Sequence, residues 1–580
     1  MVLEQRLRKE TTLITTIDRA FNLIDEPWIL VRTKDEKVQE ASLKEVLLNS
    51  QCYLELAGET KTQDFAVLRL LLAITHTVVT RFSAEGLPEP LEDDEEALER
   101  WSAIWEEGRL PQNSVLDYLN EYHDRFWLFS EDRPFMQTEV AKRGTFYRAG
   151  KLDGSLAESS NKVRLFQMKH GAQKEALAPA AAARWLINLN GYDDTSAKAS
   201  AEYRKKVTEK KSSGAGWLGR LGLIFATGET LFQTLMLNTI LIQPNGELYP
   251  ADLPYWEQEN PDVSERREIA PPANLAALYT LPSRRISLER TEDNHVNGYY
   301  ILGGDFFSRE NAFIEPFTLW KKTKAVKGQP ENQVPARHAP GKKFWRDFGN
   351  LIPLNDASRP REPGIVSWIQ LLEAEDLLPE NYIVTFEAPT VYYGDKDFFV
   401  QDLSSQNLTL YAALLNQTGI EWRLQIEKQI EKIEKFAQAA GFLAKDYATA
   451  AGKSGDALLK DADAGQSLLY QLADAPFRAW IASLNPDNKA DTASMQTIAE
   501  AVQRWNSQAR NLARQVESRL MTRSGGLHNQ NALLGRAIED KNGKTVYMSV
   551  PDATERFWIR INKLYPAKSP DSNEKRENIE

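Results

Sequence analysis

A single cysteine, Cys52, in a chain of 580 residues excludes an intramolecular disulfide and any cysteine-based zinc cluster. Histidine is nearly as scarce. His76, His123, His170, His295, His338 and His528 are scattered without metal-ligand spacing. Long apolar runs are missing too: the longest, Phe65 to Val79, is cut by Arg69 and His76 and is too short to span a bilayer. The N-terminus has no apolar core of the secretory kind. These absences predict a cytoplasmic chain without membrane segments. Enzyme signatures are equally lacking, with no Walker loop, no GxGxxG opening a helix, no HExxH and no GxSxG. Asp461 and Asp463 form a D-x-D that reads as solvated helix edge. His338, flanked by Arg337 and Lys342, suits phosphate binding, but as a general base it has no visible partner.

What is present is the composition of a globular protein, 42% hydrophobic and 26% charged, with a net charge of −11. The length suggests roughly three or four domain-sized units. The charge is not evenly spread. Val163 to Gly222 carries 11 Lys/Arg against 5 acids, a local +6, so the remainder sums to −17. Within it, Glu202 to Gly216 combines cationic side chains with small residues that allow close backbone approach to a ligand. On these residues alone, a solvated surface loop and a nucleic-acid contact both remain open.

Taken in order, residues 1–20 read as a polar lead-in. Phe21 to Arg32 reads as a turn feeding a short strand, with Pro27 as the breaker. Gln63 to Phe82 has the length and apolar density of a buried helix. The acidic run Glu92 to Glu96 opens another helix, where negative charge favours the N-terminal dipole. Val163 to His170 reads as extended and Glu175 to Leu189 as helical, with Pro179 near its first turn. Leu218 to Leu241 reads as helix plus loop. From Gln243 to Asp402 short alternating runs (Arg285 to Leu288, Tyr299 to Leu302, Tyr382 to Phe386) predict strands joined by long loops. Two more basic loops fall here, at Lys321 to Lys324 and at Arg337 to Lys343.

Beyond Ser405 amphipathic helices take over. Trp422, Ile426, Ile430, Ile433 and Ala437 share one face, and Met495, Ile498, Val502, Trp505, Ala509, Leu512, Val516 and Leu520 form a second stripe. Asp552 with Glu555 resembles a capping box for a last helix bearing Phe557, Ile561 and Leu564. The predicted fold class is therefore α+β: a large mixed N-terminal domain with loop insertions over 21–404, then a C-terminal four-helix bundle over 405–566. The charged tail 567–580 is expected to be disordered.

Three sequence elements in this order resemble the CasA family, the large subunits of the type I-E CRISPR Cascade surveillance complexes. They are Asn22-Leu-Ile-Asp-Glu-Pro-Trp-Ile-Leu-Val31, Arg133-Pro-Phe-Met-Gln-Thr138 and Phe166-Gln-Met-Lys-His-Gly-Ala-Gln-Lys-Glu-Ala-Leu177. Gly216 to Leu241 and the helical C-terminal block extend the resemblance. It implies a non-catalytic subunit without cofactors, acting in antiviral defence. Such a subunit would hold the crRNA 5′ handle, read the PAM in target double-stranded DNA, help start strand separation and recruit a trans-acting helicase-nuclease. Its implied partners are the backbone, handle-binding and small subunits of Cascade.

Carried over by position, the resemblance makes Phe166, Gln167, Met168 and Lys169 the handle contact. It likens Ser212-Ser213-Gly214 to the glycine-rich loop facing the PAM minor groove, although Lys210-Lys211-Ser212 stands where relatives carry glycines; Lys205, Lys206, Lys210 and Lys211 beside it are read from their charge as phosphate contacts to the DNA. Arg309 or Asn311 falls near the basic minor-groove finger, and Lys321, Lys322 and Lys324 add phosphate contacts. Gly394, Asp395, Lys396 and Asp397 lie where the strand-separating wedge is expected, without the family's wedge glutamine. The residues themselves leave two other functions open, a metal-dependent nuclease or phosphoesterase and a protein–protein adaptor with a helical-bundle interface.

Overall fold

The computed structural model describes residues 18–155, 171–196, 198, 214–324, 331–354, 359–486, 497–523, 530–539 and 545–567. The chain forms two compact units. The first comprises Met1–Lys342, Asn350–Leu377 and Val384–Asn407, and the second comprises Lys343–Gly349, Leu378–Ile383 and Leu408–Glu580.

The first unit is built around the helix Lys61–Arg81, in which every residue from Thr62 to Val79 is buried. Thr60 caps its N-terminus by accepting from the Gln63 amide at 3.2 Å. By length and composition this helix could cross a membrane, but its whole apolar window is buried inside the unit. The two polar interruptions noted in the sequence are paired. Arg69 Nη1 bonds both oxygens of Glu315 at 2.9 and 3.0 Å. His76 meets Asp252 at 2.5 Å and the Ile240 carbonyl at 2.8 Å. Buried charges are tolerated only with such partners. Trp217 Nε1 donates to the same Glu315 at 2.7 Å, so the core helix also anchors the segment after the basic stretch.

The unit also contains several small sheets. Ile29–Thr33 lies between Val38–Ala41 and Tyr53–Leu56. Val296–Gly303 lies between Thr145–Arg148 and Arg284–Arg290, in antiparallel register with Tyr300 opposite Phe146 and Ile301 opposite Ile286. Ile383–Tyr393 lies between Val400–Tyr411 and Phe225–Thr227. A two-stranded hairpin joins Trp320–Lys322 to Gln333–Pro335. The mixed helix-and-strand character agrees with the sequence reading. Two local readings need correction. The helix predicted from Glu175 begins at Pro179, because proline at the first helical position has no amide to leave unbonded. Phe225–Thr227, read as helix or loop, is a strand paired with Thr385 to Glu387.

In the second unit the helices Ile420–Ala450 and Asp456–Ala482 approach closely. A Cβ on Gly465 would stand 2.6 Å from the Ala440 carbonyl. Ile498–Arg523 contributes Trp505 to an aromatic cluster with Phe477 and Trp480 at centroid distances of 4.7 and 5.8 Å. The buried stripe of this helix begins at Ala501 rather than at Ile498 and Val502. Met495 lies outside the described residues. Val550–Leu564 is joined to the first helix by a bond between the Tyr447 and Thr554 hydroxyls at 2.6 Å. Its capping box is Ser549 with Asp552, one turn before the predicted Asp552 and Glu555, because Pro551 fits only the first turn.

Candidate nucleic-acid interface

The described residues on either side of 199–213 meet at an acidic knot. Helix Pro179–Tyr192 ends at Asp193 and Asp194, both buried. Asp193 Oδ2 receives Arg284 Nε at 2.6 Å and Lys198 Nζ at 2.8 Å. Asp194 receives Lys151 at 2.6 Å and Lys198 at 2.7 Å. Burial pushes the Asp194 carboxyl up, yet Lys198 and Lys151 outweigh it and hold the group below the usual carboxylate range. Two carboxylates thus fix three cations where the chain enters residues 199–213, which lie outside the described residues.

The exit is tied to the same knot. Arg284 Nη2 donates to the Gly214 carbonyl at 2.8 Å, and the Gly216 amide donates to Asp193 O at 2.9 Å. Gly214 sits at φ +73°, and a Cβ there would lie 2.6 Å from Arg220 Nη2. Glycine takes that left-handed backbone without strain.

The turn Gly394–Asp397 lies directly against this root. Thr195 N donates to Asp397 O at 2.9 Å, and Thr195 Oγ1 donates to Lys396 O at 2.7 Å. Arg337 Nη1 reaches Asp397 Oδ2 at 2.8 Å and lies over the Tyr393 ring, 5.3 Å from its centroid. Tyr393 in turn donates to Tyr192 O at 2.6 Å. The turn is strained, with Lys396 at φ 54° and Asp397 at φ 60°. Each left-handed non-glycine residue costs about 1–2 kcal/mol, and the surrounding bonds hold the pair in place.

Arg220 sits at the same root, its Nε donating to Ala215 O at 2.8 Å. Burial, with Arg284, Arg309 and Arg337 acting in the same direction, lowers its guanidinium to about 10. Arg284 and Arg337 are already paired with Asp193 and Asp397. Arg309 is exposed. Asn311, at φ 52°, uses its side chain internally: it accepts from Gln333 N at 2.8 Å and donates to Asn332 at 3.0 Å. That pairing seats the hairpin Trp320–Lys322/Gln333–Pro335, on which Lys321 is exposed and Lys322 pairs with Glu331 at 3.2 Å. Lys324 is exposed just beyond it.

Gly214 and Gly394–Asp397 are therefore brought together through Thr195 and Arg284. Phe166, Gln167, Met168, Lys169, Lys205, Lys206, Lys210, Lys211, Ser212 and Ser213 lie outside the described residues. His338 is buried with Nε2 donating to Leu223 O at 2.8 Å, so it braces the backbone rather than offering a phosphate ligand. Among the described residues, no group of three or more His, Cys, Asp or Glu is placed to hold a metal ion. Sequence reasoning missed the knot of Lys151, Asp193, Asp194 and Arg284, and the tether Thr195. The only available signal was the Asp193-Asp194 pair at a helix end before a basic run.

Residues 22–516 match the family model of CRISPR-associated protein Cse1. The chain belongs to the Cse1 family. This is the CasA family that the ordered sequence elements indicated, the large subunit of type I-E Cascade. A Thermus thermophilus "CRISPR-associated protein CasA/Cse1" is 28% identical over 339 residues, which are 57% of this chain. That alignment spans 60% of the relative's own length. The crystal structure of Thermobifida fusca Cse1 superposes with a TM-score of 0.78 at 26% identity, covering 95% of this chain and 99% of that one. A chain of a "CRISPR RNA-guided surveillance complex" shares the fold at a TM-score of 0.63 and 18% identity, over 94% of this chain and 100% of the other.

Proposed function

We propose that this Cse1-family chain is the non-catalytic subunit that lets a cytoplasmic crRNA-guided Cascade complex engage and open target DNA. In this reading Phe166, Gln167, Met168 and Lys169 contact the crRNA 5′ handle. Lys205, Lys206, Lys210, Lys211, Ser212, Ser213 and Gly214 meet the PAM duplex, with Arg309, Asn311, Lys321, Lys322 and Lys324 beside them. Gly394, Asp395, Lys396 and Asp397 form the strand-separating wedge. Residues 21–404 form the domain that carries these contacts, and the four helices of residues 405–566 form a bundle. The assembled complex recruits the helicase-nuclease that destroys the DNA.

The observation that carries this reading is the bonding of the Gly394–Asp397 turn to Thr195, at the root of the basic stretch. A duplex held by small and basic residues is presented there to a stiff turn. The minor groove carries a degenerate code that such residues read loosely. Exchanging duplex for guide–target pairing is nearly balanced in energy, so a modest wedge beside the PAM can decide whether opening begins.

The test reconstitutes the complex with and without this chain and titrates it against duplexes that differ only in the sequence flanking the target. Binding that requires both the chain and the correct flank supports the reading, and flank-independent binding contradicts it. Incubating the pure chain with Mg²⁺ or Mn²⁺ and labelled DNA separates this function from that of a nuclease.

A further inference from the structure

A cavity of about 390 Å³ lies against the first two turns of the helix Lys61–Arg81, within the first unit. Leu56, Leu68, Phe225 and Leu231 give it apolar walls, and Arg32, Glu55, Lys61, Asp64 and Glu387 give it charge. The charges do not balance. Glu55 takes both cations, Arg32 Nη2 on Oε1 at 2.9 Å and Lys61 Nζ on Oε2 at 3.0 Å. Asp64 is only 6% exposed, yet Lys61 Nζ stands 3.6 Å from its Oδ2. Its Oδ1 accepts from the Gly58 amide at 2.6 Å, while Oδ2 accepts no hydrogen bond among the described residues. Glu387 repeats the pattern: Oε1 accepts from the Ser405 hydroxyl at 3.0 Å, and Oε2 accepts no hydrogen bond among the described residues. The carboxylates Glu55, Asp64 and Glu387 thus outnumber Arg32 and Lys61, even without the exposed Glu229 that also lines the cavity. Burial raises the Asp64 and Glu387 carboxyls, with Lys61 opposing in both. Half-paired buried carboxylates on the wall of a cleft are stabilised by any cation that enters it.

The unfilled oxygens select the kind of cation. A guanidinium pairs best with both oxygens of one carboxylate, and here each carboxylate has one oxygen already bonded. Calcium-like ions need six to eight oxygen ligands, and among the described residues no three acidic, His or Cys side chains are placed to hold a metal. An ammonium is a compact charge with three donors, which suits two single oxygens. Its alkyl stem finds apolar surface on the leucines and Phe225.

We propose that this cavity binds the ammonium end of an aliphatic amine, with Asp64 and Glu387 as its acceptors and the apolar walls holding its methylenes. A free polyamine and a lysine of a neighbouring subunit both present that group.

The test titrates 1,4-diaminobutane into the full chain by calorimetry, with 1-butanol as the uncharged control. The amine is expected to bind saturably and 1-butanol not to bind. Asp64→Asn and Glu387→Gln are each expected to weaken the amine about tenfold, the size of one lost charged hydrogen bond. Both substitutions keep the side-chain shape and the acceptor for Gly58 or Ser405, so the fold is retained. Absence of saturable binding by the wild type overturns the proposal, as does equal binding of 1-butanol or wild-type affinity in both variants. Repeating the titration in the assembled complex separates the two sources. Continued binding of the amine there identifies a free amine as the ligand. Its exclusion, together with a carbodiimide crosslink from Asp64 or Glu387 to a subunit's lysine, identifies that lysine. Exclusion without such a crosslink shows that something other than an amine covers the cavity, and overturns the proposal.

Discussion

Thr195 and Lys396 lie 201 positions apart, yet the hydroxyl of the first donates to the carbonyl of the second at 2.7 Å. The amide of the same threonine holds Asp397. The end of the helix that launches the basic stretch and the turn that faces it are thus one bonded assembly. Thr195→Val keeps the side-chain shape and removes the hydroxyl donor. The bond is exposed to solvent, so its loss is expected to cost at most about 1 kcal/mol of global stability. Amide exchange at Gly394 and Asp397 should nevertheless quicken, since their bonds close the turn. Urea unfolding together with hydrogen exchange checks both parts.

Arg69 and Glu315 lie almost wholly out of solvent. Glu315 is also the acceptor for Trp217, so the pair joins the core helix to the segment after the basic stretch. Arg69→Met alone leaves Glu315 charged and buried, and is expected to cost about 3–5 kcal/mol. Replacing both residues with apolar ones of similar volume should recover much of that loss. Denaturant midpoints of the two single variants and the double variant measure the difference.

Asp64 is a carboxylate whose ionisation works against folding. Burial raises it from 3.8 to about 6, with Lys61 opposing. Between those values the folded state holds a proton that the unfolded state has released. Stability from this group therefore falls as pH rises through that window, and the cost persists above it. Asp64→Asn keeps an acceptor for the Gly58 amide, which Asp64 Oδ1 now receives at 2.6 Å. It is expected to flatten the profile between pH 4 and 6 and to raise stability at neutral pH, by an amount on the order of 1–3 kcal/mol. Unfolding curves across that pH range give the comparison.

Exposed cations on the proposed DNA face should act through phosphate neutralisation. Arg309→Ala, Lys321→Ala and Lys324→Ala are each expected to weaken duplex binding by the complex regardless of sequence, and to reduce the log–log salt slope by about 0.9. Lys322→Ala should do less, because Lys322 already pairs with Glu331. Titrations at several salt concentrations read both quantities.

The parts of this architecture that were legible in the sequence are those with local periodic signals. The apolar density of Gln63 to Phe82 and the stripe ending at Leu520 identified helices, because burial on a helix repeats every three or four residues. The capping box was misplaced, since Asp552 satisfies the pattern as either first or last member and only the position of Pro551 decides between them. The site was legible as a set of loops but not as a place. Nothing near Thr195 signals Lys396, and nothing near Asp193 signals Arg284, because such bonds depend on topology rather than spacing. The segment proposed as the wedge was singled out by resemblance alone.

A photo-crosslinking residue at Lys396, in the complex bound to a target duplex, tests the central claim most directly. The account expects crosslinks to DNA nucleotides at the junction between the flanking sequence and the target, and none from a control at the exposed Leu87. Crosslinks from Lys396 only to protein, or equal labelling of DNA from both positions, would contradict it.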